Sequence, residues 1–496
     1  MWRWLQSPQI PLFVVSLAVL LITVVPTVYE FDSAELAIGA ATLGLVHAPG
    51  YPLYLLIGHL FTWLPIGDAA FRVNLFSVFS LALSAPLLYT VLRRLRVERW
   101  AAISAALTFV CLYDIWLSGI AAEVYAPQVV TLGLLAYTLT WLLEDNVSAR
   151  RASGIGFAFG IAVAMAPSSI LFAPAVALAF VLKRVSWQRC LLGALAACLV
   201  FGCSLAYFPI RYAADPALNL LGAYDASGVF QPVNLQTVDG IVWVLRGAQF
   251  EGLFFAQGTP FALSELVDGL GVIFGNYLGV GFAIGLVGVI ALWRQRRGLF
   301  LIWLTAWMPY TYFYSQYGAV DRDTMFGPSL LTWTLALAFG WMWVRTFVKP
   351  VVMTALLIGL PALTFGANLV AIQGRAHTEV RSYAETVIRA IPENALVFGD
   401  WKTIVPLQYL QIVEGQRQDL QLRNLFLFEE APLKAYLASD TAALHRPVVF
   451  LEPAVLKYLN QRFSQARPLR VTLPAQALAW AGSDQVGFIL TERAGT

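Results

Sequence analysis

Charged residues are scarce in this chain of 496 residues: 12% are Asp, Glu, Lys or Arg, whereas soluble globular proteins carry about a quarter. Hydrophobic residues make up 59% of the sequence, and the mean hydropathy is +0.70. So little charge cannot cover the surface of a soluble protein of this length. The 14% aromatic content also excludes a disordered or collagen-like chain. This composition predicts a multispanning membrane protein with the lipid bilayer as a partner.

Cysteine and net charge are also low. The four cysteines lie in apolar stretches and show neither metal-ligand spacing nor a disulfide framework, which indicates buried side chains. The net charge is +3 and the basic residues are spread along the chain, so no nucleic-acid partner is predicted. The C-terminal quarter has neither a Gly-rich phosphate loop nor a nucleophile elbow.

Apolar runs of about 20 residues, the length that crosses roughly 30 Å of hydrocarbon, recur along most of the chain. They predict spans at 10–28, 73–92, 100–118, 126–143, 190–210, 270–293, 299–317, 326–344 and 351–372. The stretch 153–182 is interrupted at Pro167 and is either one tilted helix or two short ones, and its two basic flanks favour two. The first run is read as an anchor because many spans follow it. We predict an α-helical polytopic membrane protein with about eleven spans.

Basic residues favour short cytoplasmic loops and so orient the spans. They cluster in alternate loops, at 93–99, 150–151, 183–189, 294–297 and 345–349. This pattern predicts a cytoplasmic N-terminus and an outer C-terminus. Acidic residues show the reverse distribution, which indicates that the outer face carries the function.

Charged residues become denser after residue 372. Helical patterns at 378–391, 402–414 and 430–438 alternate there with strand patterns at 395–398, 420–426 and 447–451. The alternation predicts a small α/β fold. We therefore divide the chain into a transmembrane domain, 1–372, and a small extracytoplasmic α/β domain, 373–496.

The first outer loop, 29–72, is too polar at its start and too broken by prolines to be a plain span. Its pattern predicts a short helix at 33–46, a turn at 47–52 and an apolar helix at 53–64. Irregular backbone at membrane depth survives only beside protein or a wet cavity. The loop therefore predicts a cavity.

Two interpretations of Asp32 and Glu35, at the start of the short helix, are open. Their spacing is that of a capping box, with Asp at the N-cap and Glu three residues later. Alternatively, one carboxylate is a general base or a ligand for a sugar or a cation, and the two interpretations are compatible. His47 and Tyr51 follow in the rigid turn, where they are candidates for substrate binding or for structural roles.

A family resemblance rests mainly on two runs, FDSAELAIGAATLGLVHAPGYPLYLLIGHLF (31–61) and FRVNLFSVFSLALSAPLLY (71–89). Further segments add to it, namely AAEVYAP (121–127), FPIRYAADPALNL (208–220), VDRDTMFGPSLLTW (320–333) and IPENALVFGDWKTIVPLQYLQIVEGQRQDL (391–420). Together they resemble a bacterial family of multispanning proteins. That family is related to the eukaryotic transmembrane enzyme that O-mannosylates plexin-type receptor domains, and both belong to the GT-C glycosyltransferase class.

The resemblance implies a GT-C-like fold in the bacterial inner membrane. It also implies an enzyme that takes a sugar, with mannose as the candidate, from a polyprenyl-phosphate donor. The acceptor is a hydroxyl group of a protein or of an envelope glycan or lipid on the non-cytoplasmic side. The implied mechanism is a single displacement with inversion, in which Asp32 takes the acceptor proton. Burial or the nearby Glu35 would raise its ordinary pKa of about 3.9.

The leaving polyprenyl phosphate needs a cation, because preorganised charge stabilises the transition state. Arg211 is the first choice, since arginine offers a fork matched to phosphate, although snorkelling also explains its place at the end of a span. Arg322 is the second choice, with a local salt-bridged turn as the alternative, and Arg246 is the third. The remaining substrate-binding candidates, all in outer segments, are Glu123, Tyr125 and Asn219. No cofactor is assigned with certainty, and a divalent cation is the candidate.

Two other function classes stay open. A secondary transporter also has about ten to twelve spans, but it places charge near the midplane and shows two related halves. This sequence shows no internal repeat. A non-catalytic envelope scaffold with a degenerate pocket is the third class.

Overall fold

A computed structural model describes residues 7–144, 147–255, 262–375, 377–438, 446–451 and 467–490. Within these ranges the chain is mainly helical. The helices are α1 (Gln9–Leu21), α2 (Asp32–Thr42), α3 (Pro52–Phe61), α4 (Ala69–Arg94), α5 (Arg99–Val110), α6 (Tyr113–Ile120), α7 (Tyr125–Leu139), α8 (Ala149–Met165), α9 (Ala173–Leu182), α10 (Trp187–Leu205), α11 (Tyr207–Ala213), α12 (Val238–Leu245), α13 (Leu263–Asn276), α14 (Val280–Gln295), α15 (Arg297–Ser315), α16 (Gly327–Val344), α17 (Pro350–Gln373), α18 (Glu379–Ala390), α19 (Trp401–Ile412), α20 (Glu430–Ala438) and α21 (Ala475–Ala481). The strands are β1 (Gly222–Tyr224), β2 (Phe230–Pro232), β3 (Leu396–Gly399), β4 (Gln421–Asn424), β5 (Val448–Phe450), β6 (Arg467–Arg470) and β7 (Gln485–Leu490).

Five helical segments of the described chain are long and apolar enough to cross a membrane. They are Ala69–Arg94, Tyr125–Leu143, Trp187–Ala213, Arg322–Val344 and Pro350–Gln373. Two bent pairs could each form one more span, with angles of 61° between α5 and α6 and 109° between α13 and α14. Length and composition therefore support five to seven spans, and the predicted number of about eleven is not confirmed. Shorter helices occupy other predicted positions, such as α1 in place of 10–28.

Local backbone preferences explain where two predicted spans are interrupted. Leu278 and Gly279 adopt positive φ angles of 53° and 67°, so α13 ends there and α14 leaves in a new direction. Pro167 follows Ala166, whose extended backbone ends α8, because a residue before proline avoids the helical region. The stretch 153–182 is thus broken at the predicted proline, with a 3-10 turn before α9.

The membrane-crossing helices differ greatly in burial. Most of the Arg322–Val344 and Ala69–Arg94 spans is buried inside the protein, at 89% and 72%, whereas Trp187–Ala213 and Pro350–Gln373 are only 17% and 22% buried. The last two are apolar on all sides, as expected for helices that face lipid. α4 and α16 therefore form the centre of the helical part, and α10 and α17 lie at its periphery.

The first outer loop has the predicted order of helix, turn and helix, as α2 and α3, but α2 ends at Thr42 and not at the predicted residue 46, because Leu43 adopts a left-handed backbone. The turn packs closely against α2 at Gly39. A Cβ atom at this position would lie 2.4 Å from Val46 Cγ1. Gly50 has a φ of 86°, and a Cβ atom there would lie 2.5 Å from the ring of Phe208. Leu45 also exchanges backbone hydrogen bonds of 2.8 Å with the 218–220 segment. These contacts fix the path of the turn that follows α2.

The C-terminal region, 377–490, contains a five-stranded sheet in the order β4-β3-β5-β7-β6. β3 pairs in parallel with β4 and β5, whereas β7 is antiparallel to β5 and β6. The predicted alternation of helices and strands is observed up to β5, and β6, α21 and β7 are additional. Of the predicted domain 373–496, residues 376, 439–445, 452–466 and 491–496 lie outside the described residues.

Ion pairs connect the C-terminal region to the first outer loop. Arg381 of α18 lies 3.0 Å from Asp68, which caps α4, and 2.7 Å from Glu414. Glu30, just before α2, accepts a hydrogen bond of 2.9 Å from the Trp480 indole and lies 3.7 Å from Lys402. These contacts bring the start of α19 beside the start of α2.

Candidate active site

Asp32, Glu35 and His47 form a cluster at the start of α2. Glu35 is completely buried, and its two oxygens accept hydrogen bonds from His47, at 2.5 Å from the backbone N–H and 2.8 Å from Nδ1. Nε2 of His47 lies 3.6 Å from Oδ2 of Asp32, whose side chain is 26% exposed. His47 therefore connects a buried carboxylate to one that reaches open space.

The capping-box interpretation of Asp32 and Glu35 is wrong. α2 begins at Asp32 itself, Phe31 holds the N-cap position with a φ of 52°, and no side chain caps the helix. Glu35 binds His47 instead. A positive φ on a bulky residue costs about 1–3 kcal/mol, and such strain concentrates at functional sites. The strained residue directly precedes Asp32.

The charges of the cluster are interdependent. Burial raises the pKa of Asp32, the charge of His47 opposes this rise, and the charge of Glu35 adds to it. For His47, burial lowers the pKa, but Glu35 and then Asp32 outweigh burial and raise it to about 10. The imidazole is therefore protonated at neutral pH and can donate a hydrogen bond from each ring nitrogen.

Asp32 and His47 line a cavity of about 480 Å³. Its other polar and charged walls include Tyr51, Tyr125, Ser168, Arg246, Tyr314, Tyr317 and Asp321. Its aromatic walls are Phe31, Phe250, Phe254, Phe313, Trp401 and Phe426. A concave, largely apolar site with a few converging polar groups is typical of small-molecule binding.

Five of the predicted site residues meet at this cavity: Asp32, His47, Tyr51, Tyr125 and Arg246. Glu35 lies behind His47. Glu123 is half-buried next to the lining residues Val124 and Tyr125, and burial, followed by the charge of Asp32, raises its pKa well above the ordinary value. Glu123 therefore lies close enough to Asp32 to be affected by its charge.

The two preferred arginines lie elsewhere. Arg211 donates to the backbone carbonyls of Leu43, at 2.6 Å, and Thr42, at 3.2 Å. It thereby satisfies the C-terminal end of α2, where cations are favourable. Arg322 lies 3.2 Å from Glu265, which is distant in the sequence, and 3.8 Å from its neighbour Asp323, the local pair of its alternative interpretation.

Arg246, the third choice, is the only lysine or arginine that lines the cavity within the described ranges of the chain. Its partner Glu251 lies 3.5 Å away, and both side chains are more than half exposed. Asn219 does not line the cavity; its Oδ1 accepts the backbone N–H of Leu221 at 3.0 Å. The geometry therefore favours Arg246 among the three arginines.

Asp321 and Trp401 are among the residues of the cavity wall that sequence reasoning missed. Asp321 lies there, and burial together with the charge of Asp32 raises its pKa to about 6. Trp401 comes from α19, and its ring centroid lies 5.7 Å from that of His47. Both residues belong to segments that carry the family resemblance, VDRD and GDWKT. Membership of these segments was the signal from which their role in the site could have been predicted.

The cluster also offers donors for a divalent cation. Ligand atoms of Asp32, Glu35 and His47 all lie within 4.8 Å of one another. Both oxygens of Glu35 already accept from His47, so the remaining donors are Asp32 and Nε2 of His47, and Nε2 must lose its proton to bind a cation. A carboxylate that orients a metal-binding histidine through its other nitrogen is a common arrangement. The residues present therefore fit a cation, with Glu35 in the orienting position.

The N-terminal third of the chain is similar to a known protein family. Residues 32–189 match the family model of the TMEM260 N-terminal domain, a protein O-mannosyl-transferase family. The chain is 38% identical over 125 residues to protein O-mannosyl-transferase TMEM260 of Mus musculus. That match covers 25% of this chain and 18% of the mouse protein, so the chain spans less than a fifth of the length of this relative.

Solved structures match over most of the chain. ArnT from Cupriavidus metallidurans, bound to undecaprenyl phosphate, has a TM-score of 0.58 and 10% identity, covering 100% of this chain and 99% of ArnT. The oligosaccharyltransferase AglB from Archaeoglobus fulgidus has a TM-score of 0.52 and 12% identity, covering 90% of this chain and 69% of AglB. Both are GT-C enzymes, and at these identities the likeness shows the fold. The chain therefore has the GT-C fold, and its segment 32–189 is related to the N-terminal domain of the protein O-mannosyl-transferase TMEM260, as the sequence resemblance predicts.

Proposed function

We propose that this protein is a GT-C membrane glycosyltransferase that moves a sugar from a polyprenyl-phosphate donor to a hydroxyl group on the non-cytoplasmic side. The observation that carries the proposal is the chain of contacts Glu35–His47–Asp32, which ends on the wall of a cavity. ArnT was solved with undecaprenyl phosphate, and AglB with an inhibitory peptide and dolichol-phosphate. The relation to TMEM260 favours mannose as the sugar and a protein hydroxyl as the acceptor.

Asp32 is the proposed general base. The acceptor oxygen forms a bond to the anomeric carbon, the bond from that carbon to the phosphate oxygen breaks, and the hydroxyl proton passes to Asp32. One displacement inverts the anomeric configuration. Burial makes Asp32 a stronger base than a free aspartate. His47, held by Glu35, keeps the carboxylate ionised and oriented until the proton arrives.

Arg246 is the proposed partner of the leaving phosphate. It lines the same cavity as Asp32, and its guanidinium can bind two phosphate oxygens. Its exposed pairing with Glu251 costs little to exchange, because exposed ion pairs contribute about 0–1 kcal/mol. Asp32 and deprotonated His47 would hold a divalent cation, which would supply further positive charge for the phosphate.

The other predicted site residues keep more limited roles. Tyr51 and Tyr125 line the cavity and are proposed to contact substrate. Glu123 lies on the proposed acceptor side, where burial and the charge of Asp32 favour its neutral form. Asn219 stabilises the 218–221 segment that holds the loop after α2.

The proposed setting is the bacterial inner membrane, with about eleven crossings and a cytoplasmic N-terminus. The transmembrane domain is 1–372, with the catalytic first outer loop at 29–72. Residues 373–496 form the extracytoplasmic α/β domain. The basic clusters at 93–99, 150–151 and 294–297 support this orientation.

Transfer by the purified protein in liposomes tests the function. The donor is polyprenyl-phosphate mannose labelled in the sugar, and the acceptor source is an envelope fraction from cells that lack this protein. The expected result is label in envelope material with release of equal polyprenyl phosphate. No donor consumption would contradict the proposal, and solute uptake into sealed vesicles without transfer would favour a transporter.

A further inference from the structure

The C-terminal region contributes one wall of the cavity. Trp401 is the first residue of α19, and Phe426 lies just after β4, yet both line the cavity together with Asp32 and His47. The Trp401 ring centroid lies 5.7 Å from His47 and 5.4 Å from Phe426, with the rings edge-on in both pairs. Residues from the two ends of the chain thus meet beside the proposed base.

The indole Nε1 atom of Trp401 is buried and makes no hydrogen bond within the described parts of the chain. It lies close enough to Asp32 for its N–H to lower the pKa of that carboxyl group, against the rise that burial causes. A buried donor without a hydrogen bond is unfavourable. Such a donor on a cavity wall is positioned to bind an oxygen of a ligand.

Trp401 is held firmly in place. Asp400 caps α19, and its Oδ1 accepts from the Thr403 backbone N–H at 2.8 Å. On the other side, Lys402 reaches Glu30 at 3.7 Å and lies 4.6 Å from the Trp480 ring centroid. Glu30 lies two residues before Asp32, so the same contacts fix the indole relative to the carboxylate.

The surroundings of Trp401 are aromatic. Phe250 lies 5.4 Å from the His47 ring and 5.3 Å from Phe426, measured between centroids. Trp401, Phe426 and Phe250 therefore form a continuous aromatic wall next to Asp32. Aromatic rings offer large rigid apolar surfaces, and one face of a pyranose ring consists largely of C–H groups. Such a wall is complementary to a sugar and not to a phosphate.

We propose that Trp401 binds the donor sugar: its indole N–H donates to a sugar oxygen beside Asp32, while Trp401, Phe426 and Phe250 pack against the apolar face of the ring. The C-terminal region thereby completes the sugar subsite, and it selects a lipid that carries a hexose over the bare carrier. This inference rests on the proposed function, because it requires a carbohydrate at this cavity.

Two Trp→Phe variants separate this role from structural effects. Trp401→Phe keeps an aromatic ring and removes the N–H, and Trp341→Phe makes the same change at another buried indole, which does not line the cavity. Binding to the full-length protein in liposomes is measured for polyprenyl-phosphate mannose and for bare polyprenyl phosphate. We expect Trp401→Phe to weaken binding of the mannose-bearing lipid by about tenfold, the size of one hydrogen bond, with bare polyprenyl phosphate unaffected. Trp401→Ala should weaken the first by about a hundredfold, because the packing surface is lost as well.

Trp341→Phe should leave both affinities unchanged. Unchanged binding of the mannose-bearing lipid to both Trp401 variants would overturn the inference, as would an equal loss for both lipids in Trp401→Phe. If the wild-type protein itself does not bind the mannose-bearing lipid more tightly than the bare carrier, the proposal of a sugar subsite is wrong. If the wild type binds neither lipid, the proposed function fails with it.

Discussion

Replacing Glu35 with glutamine should lower stability in a pH-dependent way. Glu35 is the buried counter-charge of His47 and accepts two of its hydrogen bonds. Glutamine keeps the shape but removes the charge and replaces one acceptor with an NH₂ donor. Because Glu35 is the main cause that raises the pKa of His47 to about 10, the variant should lose most of that rise. The imidazole of the variant should then be neutral at a much lower pH.

The size of the stability loss follows from the ion pair of Glu35 and His47. Removing one partner of a buried ion pair costs about 3–5 kcal/mol. The shift of His47 gives a similar figure, since a folded pKa of about 10 against an unfolded value of about 6.5 contributes about 4 kcal/mol at pH 7. Because the pKa of His47 is higher in the folded protein, its protonation stabilises the fold fully below pH 6.5. This stabilisation is lost as the pH rises through 10. The wild type and Glu35→Gln should therefore differ most at pH 6 and least near pH 10.

Thermal unfolding in detergent, followed by tryptophan fluorescence between pH 6 and pH 10, measures this difference. The matched control is Glu265→Gln, which removes the partner of Arg322 at 3.2 Å. Arginine stays protonated throughout this range, so the Tm gap between that control and the wild type should not change with pH. A Tm gap for Glu35→Gln that is equally large at pH 6 and pH 10 would refute the reasoning, because His47 would then not be an imidazolium in the folded protein.

Four further substitutions test the cavity and its supports. Arg246→Gln should reduce kcat/KM for the lipid-linked donor by about 10–100-fold, the size of a charge-assisted hydrogen bond. Arg211→Gln should chiefly lower Tm, because it removes the hydrogen bonds to the carbonyls at the end of α2. Gly50→Ala should destabilise by about 1–3 kcal/mol, since it combines a φ of 86° with a contact of 2.5 Å to Phe208; unfolding midpoints measure this. Arg381→Met should increase hydrogen exchange in α18 and near Asp68, because it removes the ion pairs between them.

Matched controls exist for two of these changes. Gly202→Ala places a Cβ atom where nothing lies within 4 Å, so it should not destabilise. Arg389→Met removes only an exposed pair with Glu385 and should not alter exchange near Asp68. Equal effects of Gly50→Ala and Gly202→Ala would contradict the packing argument, and equal effects of Arg381→Met and Arg389→Met would contradict the role of Arg381 between the two regions.

Local patterns predicted much of the fold. The boundaries of α18, α19 and α20 agree with the sequence prediction within about two residues, because capping residues and amphipathic periodicity are local signals. The break at Pro167 was predicted for the same reason. β6 and β7 were missed, because the formation of a strand depends on packing and on partners distant in sequence. The number of spans was not settled, since a hydropathy run does not show a bend such as that at Leu278 and Gly279.

The site was predicted only in part. Asp32 and His47 lie in one short segment, and their proximity could be inferred from it. Which arginine faces the cavity depended on tertiary contacts: Arg211 is held by the carbonyls at the end of α2, and no local pattern indicates this. Trp401 reaches Asp32 only because ion pairs bring the C-terminal region onto the first outer loop. Such long-range contacts are not visible in a single sequence.

The single-turnover rate of Asp32→Asn is the most direct measurement of whether Asp32 is the base. Asparagine keeps the shape of the side chain but cannot take a proton, and a general base accelerates a reaction by about 10²–10⁴-fold. With polyprenyl-phosphate mannose bound in advance, the transfer rate should fall by that factor, while donor affinity stays close to that of the wild type. A variant that transfers the sugar within about tenfold of the wild-type rate would contradict general-base catalysis by Asp32.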